Sequence, residues 1–126
     1  MYNAGELWLA QLPDGSQVPH ICIVLTDEYG FLSSFYVVPV ISPTPKADRT
    51  LMLDSSDCKL FKYASCVSYD DLTEKEPESF AKVAVKKYGC LTAERLQEVI
   101  DCALKSPNTP RGFKRDLLSR LNEQSK

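Results

Sequence analysis

A chain of 126 residues with 44% apolar and 25% charged residues has the composition of one globular domain, long enough to form a core without metals or disulfides. Its formal net charge of −2 argues against a general nucleic-acid binder, because such proteins usually carry a basic surface. No apolar run approaches the roughly 20 residues that span a bilayer, and no signal peptide is evident, so we expect a cytoplasmic protein without membrane contact.

The five cysteines predict neither a disulfide framework nor a zinc site. Their number is odd, none form a Cys-x-x-Cys pair, and His20 is the only imidazole. Cys22, Cys66 and Cys102 lie in apolar runs, where a free thiol behaves as a small hydrophobic side chain. We therefore expect a reducing compartment, no bound metal and no other cofactor.

The first two thirds of the chain contain short apolar segments separated by polar turns. These segments predict strands at residues 7–12, 21–25, 31–41, 50–53 and 63–68. The loop at 42–48 contains two prolines in three residues, so we expect it to be stiff and exposed. Residues 80–87 alternate in hydrophobicity, which leaves strand or helix open and favours a strand.

The last third has helical periodicity. Thr92 is a predicted N-cap, residues 96–104 place their apolar side chains on one face, and Ser106–Asn108 ends the helix. Thr109 followed by Pro110 predicts a second helix that reaches Asn122. Strands followed by helices predict an α+β, mainly β fold. We expect a single domain over residues 1–126: a small SH3-like β-barrel of five to seven strands, with one or two C-terminal α-helices and a helical extension from about residue 107.

Several short motifs occur in an order that resembles the MazF/PemK-like toxins, which are small ribonucleases. The first matched element is Gly5-Glu6-Leu7-Trp8, and Gly15-Ser16 resembles the polar loop that follows it. The third-strand ending, the fourth element and the final turn are similar to Val38-Pro39, Ala64-Ser65-Cys66-Val67 and Gly89-Cys90-Leu91-Thr92. The resemblance covers about residues 5–105, although the acidic and amide residues of the fourth element are missing.

The resemblance implies the toxin component of a toxin–antitoxin system, a cytoplasmic, metal-independent endoribonuclease that cleaves single-stranded RNA. It also implies a homodimer that is inhibited by an antitoxin protein. Two positions differ where that family carries its chemistry. His20 occupies the place of the catalytic arginine, and Ile41 occupies the place of the catalytic threonine, with Ser42 next to it.

The residues that are present could form a rearranged catalytic site. His20 would act as general base or acid, because imidazoles titrate near neutral pH, and Ser42 would supply a hydroxyl donor. Lys46 or Arg49 would supply the phosphate-binding cation. Gln17 and Trp8 are further candidates for substrate contacts, with Trp8 able to stack on a base.

Each candidate also has a structural interpretation. His20 could cover the end of a strand, Ser42 could form a turn before Pro43, and Trp8 could be a half-buried strand residue. The sequence therefore leaves three hypotheses open. The chain is an active ribonuclease, a catalytically inactive binding or regulatory module for protein or nucleic acid, or a protein that shares only a fold with the toxins.

Overall fold

The computed structural model describes residues 2–11, 18–28 and 34–124, and within these residues it contains seven strands and three helices. The strands are β1 (Glu6–Ala10), β2 (His20–Val24), β3 (Phe35–Ile41), β4 (Met52–Leu53), β5 (Ser65–Val67), β6 (Thr73–Lys75) and β7 (Ala84–Cys90). The helices are α1 (Pro77–Val83), α2 (Ala93–Lys105) and α3 (Arg111–Gln124), and a single 3₁₀ turn spans Tyr69–Asp71. The predicted α+β, mainly β class is confirmed.

All seven strands belong to one antiparallel sheet. Six of them follow the order β4-β5-β3-β2-β1-β7, and β6 pairs with β3 outside this order. One edge of β3 pairs with β2, and its other edge pairs with β6 at Phe35–Val37 and with β5 at Val40–Ile41. In the described part of the chain no pairing joins β4 to β7. The expected closure into a barrel is therefore not found, and an SH3-like architecture is not established by this sheet.

The central strands are buried on both faces, which explains their continuous apolar sequence. One face of the sheet packs against α2 and α3, and its side chains include Leu7, Ile21, Ile23, Tyr36, Val38 and Val40. Along each strand these side chains alternate with those of the other face. The opposite face packs Ala10, Cys22, Val24, Phe35 and Val37 around Phe80 of α1. The sheet therefore positions side chains by strict alternation, so that neighbours along a strand face different environments.

The strand predicted for residues 80–87 is wrong at its start and correct from Ala84 onward. Pro77 occupies the first turn of α1, where its missing N–H costs nothing, and Phe80 is buried against Phe35 at a ring-centroid distance of 5.5 Å. Burial of this one aromatic ring overrides the two-residue alternation. The chain becomes extended at Ala84 and forms β7 beside β1.

The two C-terminal helices are confirmed. The Thr92 hydroxyl caps α2 by accepting a hydrogen bond from the Arg95 amide at 3.2 Å. The Arg95 guanidinium donates to Asp57 at 3.0 Å and to the Met52 carbonyl at 2.7 Å, which joins α2 to β4. No helix of the described residues has the length and apolar character needed to cross a membrane.

Candidate functional site

Strand pairing brings His20 and Ser42 to the same end of the sheet. Ile21 of β2 lies opposite Val40 of β3 in the antiparallel register. His20 therefore lies beside the end of β3, and Ser42 is the residue that follows that end. Both residues line one open cavity with a volume of about 330 Å³. The structure thus places the two predicted catalytic residues at one site.

The cavity has a mainly apolar lining that includes several polar side chains. Its apolar lining comes from β1, β2, β3 and the segments before β2 and β5, and consists of Leu9, Val18, Pro19, Ile21, Val40, Ile41, Leu60 and Phe61. The remaining lining residues are His20, Ser42, Lys62, Tyr63 and Ser65. None of the described lining residues is acidic, although the whole chain carries a net charge of −2.

Two of these lining residues, Lys62 and Tyr63, are absent from the sequence-based site. They lie between β4 and β5. The sequence predicts Tyr63 only as the first residue of a strand over 63–68, and Lys62 precedes that strand. A signal was present, because residues 59–63 read Lys-Leu-Phe-Lys-Tyr and interleave two cations with two aromatic rings. In the structure the Phe61 ring is buried in the core, whereas Lys62 and Tyr63 are exposed.

The cations predicted for the site, Lys46 and Arg49, lie on the exposed loop after Ser42 and do not line the cavity. Arg49 donates a hydrogen bond to the Ala47 carbonyl at 3.3 Å. The loop is attached to the end of α2 by Asp48, whose carboxylate accepts hydrogen bonds from Ser106, at 2.6 Å, and from Asn108. Lys62 is the cation that the structure places at the cavity.

Trp8, which was predicted to contact the substrate, does not line the cavity. Trp8 packs with the Phe80 side of the sheet, whereas its neighbour Leu9 lines the cavity. The indole N–H of Trp8 donates to Glu6 at 2.9 Å, and its ring meets that of Tyr2 edge to face at 5.2 Å. These contacts give Trp8 a structural role. Gln17 lies outside the described residues.

The arrangement of polar groups is suited to acid–base chemistry on an anion. An imidazole can exchange a proton near neutral pH, a hydroxyl can donate a hydrogen bond, and an ammonium can stabilise negative charge that develops beside an apolar wall. Within residues 2–11, 18–28 and 34–124 no group of three His, Cys, Asp or Glu side chains is arranged to hold a metal ion. All five cysteines are free thiols.

No protein-family model matches this chain, and no curated protein matches it at a significant level. The resemblance to the MazF/PemK-like toxins therefore depends on the order of short motifs.

Two of those motifs are in contact in the fold, because the Leu91 amide donates a hydrogen bond to the Gly5 carbonyl at 2.8 Å. Gly5 and Gly89 both have positive φ, 93° and 118°, where a side chain would be strained, so local backbone geometry alone explains both glycines.

Proposed function

We propose that this chain is a MazF/PemK-like endoribonuclease, the toxin component of a toxin–antitoxin-like system, which cleaves single-stranded RNA without a metal ion. The observation that carries the proposal is the shared cavity of His20, Ser42 and Lys62. An imidazole, a hydroxyl and a cation around one depression are the groups that cleavage of a phosphodiester by its neighbouring 2′-hydroxyl requires. In this proposal the sheet corresponds to a divergent, SH3-like version of the toxin fold.

Each residue has a defined role in the proposed reaction. His20 accepts the proton of the ribose 2′-hydroxyl as the 2′-oxygen bonds to phosphorus. Lys62 stabilises the negative charge that accumulates on the phosphoryl oxygens, in the role that the toxin family gives to arginine. Ser42 donates a hydrogen bond to the leaving 5′-oxygen, which is protonated by water as its bond to phosphorus breaks. The products are a 2′,3′-cyclic phosphate and a 5′-hydroxyl.

The partners in this proposal follow from the resemblance. They are single-stranded RNA, an antitoxin protein that covers the RNA site, and a second copy of the chain in a homodimer. Lys46 and Arg49 are exposed on the loop that follows Ser42, where they can reach phosphates outside the cavity. A cytoplasmic location is the one that matches an RNA substrate.

A cleavage assay tests the proposal. Purified protein is incubated with a long single-stranded RNA in the presence of EDTA, and the new ends are analysed for 2′,3′-cyclic phosphate. We expect cleavage by the wild type and a loss of roughly 100-fold or more in rate for His20→Ala, as for removal of a general base. The matched control is Lys82→Ala, which removes an exposed cation outside the cavity. Intact RNA with the wild type, or equal rates for folded His20→Ala and wild type, would overturn the assignment.

A second candidate is a MazF/PemK-like binding or regulatory module that has lost catalysis. The observation that favours it is the mainly apolar lining of the cavity, in which Ile41 occupies the place of the family's threonine. Induced expression in a bacterial host separates the two candidates. A ribonuclease is expected to arrest growth, with relief by His20→Ala, whereas a binding module that leaves RNA intact is expected to leave growth unchanged.

A further inference from the structure

Exposed apolar side chains are concentrated at the cavity. The described residues include five large hydrophobic side chains that are exposed, and three of them line this cavity: Val18 at 65%, Leu60 at 40% and Tyr63 at 62%. The other two, Val85 and Leu118, lie elsewhere. Apolar side chains scattered singly need no explanation, but several around one depression indicate a binding surface.

We propose that Leu60, Tyr63 and Val18 form a subsite for one unpaired nucleobase of RNA, and that Lys62 binds the adjoining phosphate. The inference rests on the proposed function, because RNA is taken from it as the substrate. It adds a platform for the base that the sequence-based site lacks, since Trp8 packs on the other face of the sheet. The ring of Tyr63 can stack on any base, as every base presents a π-face.

The backbone under this platform is held in place before any ligand binds. Phe61 is only 6% exposed and inserts into the core between the exposed Leu60 and Lys62. The Ser65 hydroxyl donates to the Tyr63 carbonyl at 3.2 Å while the Tyr63 ring remains exposed. A platform that is ordered in advance loses little conformational entropy when a base stacks on it.

The charge and size of the cavity suit a nucleotide of a single strand. Lys62 and His20 supply the basic groups of the described lining, with no carboxylate among the lining residues to repel a phosphate. A volume of about 330 Å³ suits one small ligand or part of a larger one. A base inside a duplex cannot lie on a side-chain ring, so the subsite requires an unstacked base from a single strand.

Binding of a non-cleavable RNA tests the subsite separately from catalysis. The probe is a fluorescein-labelled octaribonucleotide of mixed sequence with 2′-O-methyl groups, and its dissociation constant is measured by fluorescence anisotropy. We expect Tyr63→Ala to weaken binding about 10-fold, within the range of one lost stacking contact, and Tyr63→Phe to stay within about 2-fold of wild type. The matched control is Val85→Ala, which truncates an equally exposed side chain outside the cavity and should leave affinity unchanged.

An octamer with abasic sites separates base stacking from phosphate binding. We expect it to bind the wild type as weakly as the complete octamer binds Tyr63→Ala. Equal affinity of wild type and Tyr63→Ala for the complete octamer, or equal affinity of the wild type for both octamers, would overturn the subsite even where RNA is cleaved. Base-dependent binding that Tyr63→Ala weakens, in a protein that leaves RNA intact, would support the subsite and overturn the nuclease.

Discussion

At the scale of single residues, Asp48 determines the position of the loop after Ser42. Its carboxylate accepts hydrogen bonds from the Ser106 hydroxyl at 2.6 Å, the Asn108 amide at 3.0 Å and the Thr50 backbone N–H at 2.8 Å. Ser106 is fully buried at the end of α2, so the loop is attached to the core at this point. Nothing in the local sequence around Asp48 predicts a contact with residues 58 and 60 positions away.

The titration of Asp48 gives a prediction about stability. Burial opposes its ionisation, but hydrogen bonds from Ser106, Thr50 and Asn108 outweigh burial and lower the pKa of Asp48 from 3.8 to about 2. A carboxyl with a lower pKa in the folded state stabilises the fold above its unfolded pKa, and this contribution disappears as the pH falls from about 4 to about 2. After allowance for solvent screening, we take the contribution at neutral pH as about 1 kcal/mol.

We therefore expect Asp48→Asn to lower the free energy of unfolding by about 1 kcal/mol at pH 7 and by about half of that at pH 3. Urea titrations at the two pH values measure the difference. Asp101→Asn, which changes an exposed carboxylate on α2, is the control and should have little effect at either pH. A loss for Asp48→Asn that does not depend on pH would show that the charge of Asp48 is not the cause.

At the scale of secondary-structure elements, α3 is part of the core although it follows the region that resembles the toxins. Leu117 is fully buried, and the Phe113 ring meets the Tyr36 ring of β3 edge to face at 5.6 Å. Tyr36 also donates a hydrogen bond to Asp116, and the Arg120 guanidinium lies over its ring at 4.7 Å. Burial and then Asp116 raise the pKa of Tyr36, so its hydroxyl stays protonated as a donor. The helix therefore packs on the sheet.

Two adjacent leucines test this packing. Leu117→Ala should lower the free energy of unfolding by about 2–4 kcal/mol, because it removes buried methyl groups and leaves a cavity. Leu118→Ala is the matched control, since Leu118 is 47% exposed and its truncation should cost less than about 0.5 kcal/mol. Chemical denaturation of both variants measures the two values. Similar losses for the two substitutions would contradict the docking of α3 on the sheet.

At the scale of the whole molecule, the net charge limits how the proposed RNA substrate would be bound. The chain has a net charge of −2, and the described lining of the cavity contains a single lysine, Lys62. Affinity would therefore come mainly from stacking and from a few phosphate contacts. A basic nucleic-acid binder would instead rely on the release of many counterions.

Salt dependence of binding to the 2′-O-methyl octamer tests this balance. A single strand gives a slope of about −0.7 in log K against log salt for each phosphate neutralised, so one to three contacts predict a slope between about −0.7 and −2.1. Lys62→Gln should make the slope about 0.7 shallower, whereas Lys82→Gln, at an exposed site outside the cavity, should leave it unchanged. A slope steeper than about −3 would indicate a more extensive cationic surface.

Features that depend on neighbouring residues were predictable from the sequence. Helix α2 was anticipated from the Thr92 cap and the periodic apolar face, and β2 from its β-branched run, because capping and patterning act within a few residues. The break between α1 and β7 was not predictable. It depends on the burial of Phe80 against Phe35, which lies 45 positions earlier in the chain (80 − 35).

The sequence by itself determined the α+β class, most of the strands, the two C-terminal helices and the pair His20 and Ser42 as candidates. Only the tertiary structure decided which side chains share a cavity. It added Lys62 and Tyr63 to that pair, left Lys46 and Arg49 on an outer loop, and put Trp8 on the opposite face of the sheet. The physical reason is that strand register and the packing of the segment before β5 join residues that are far apart in the chain, and local sequence patterns carry no information about those contacts.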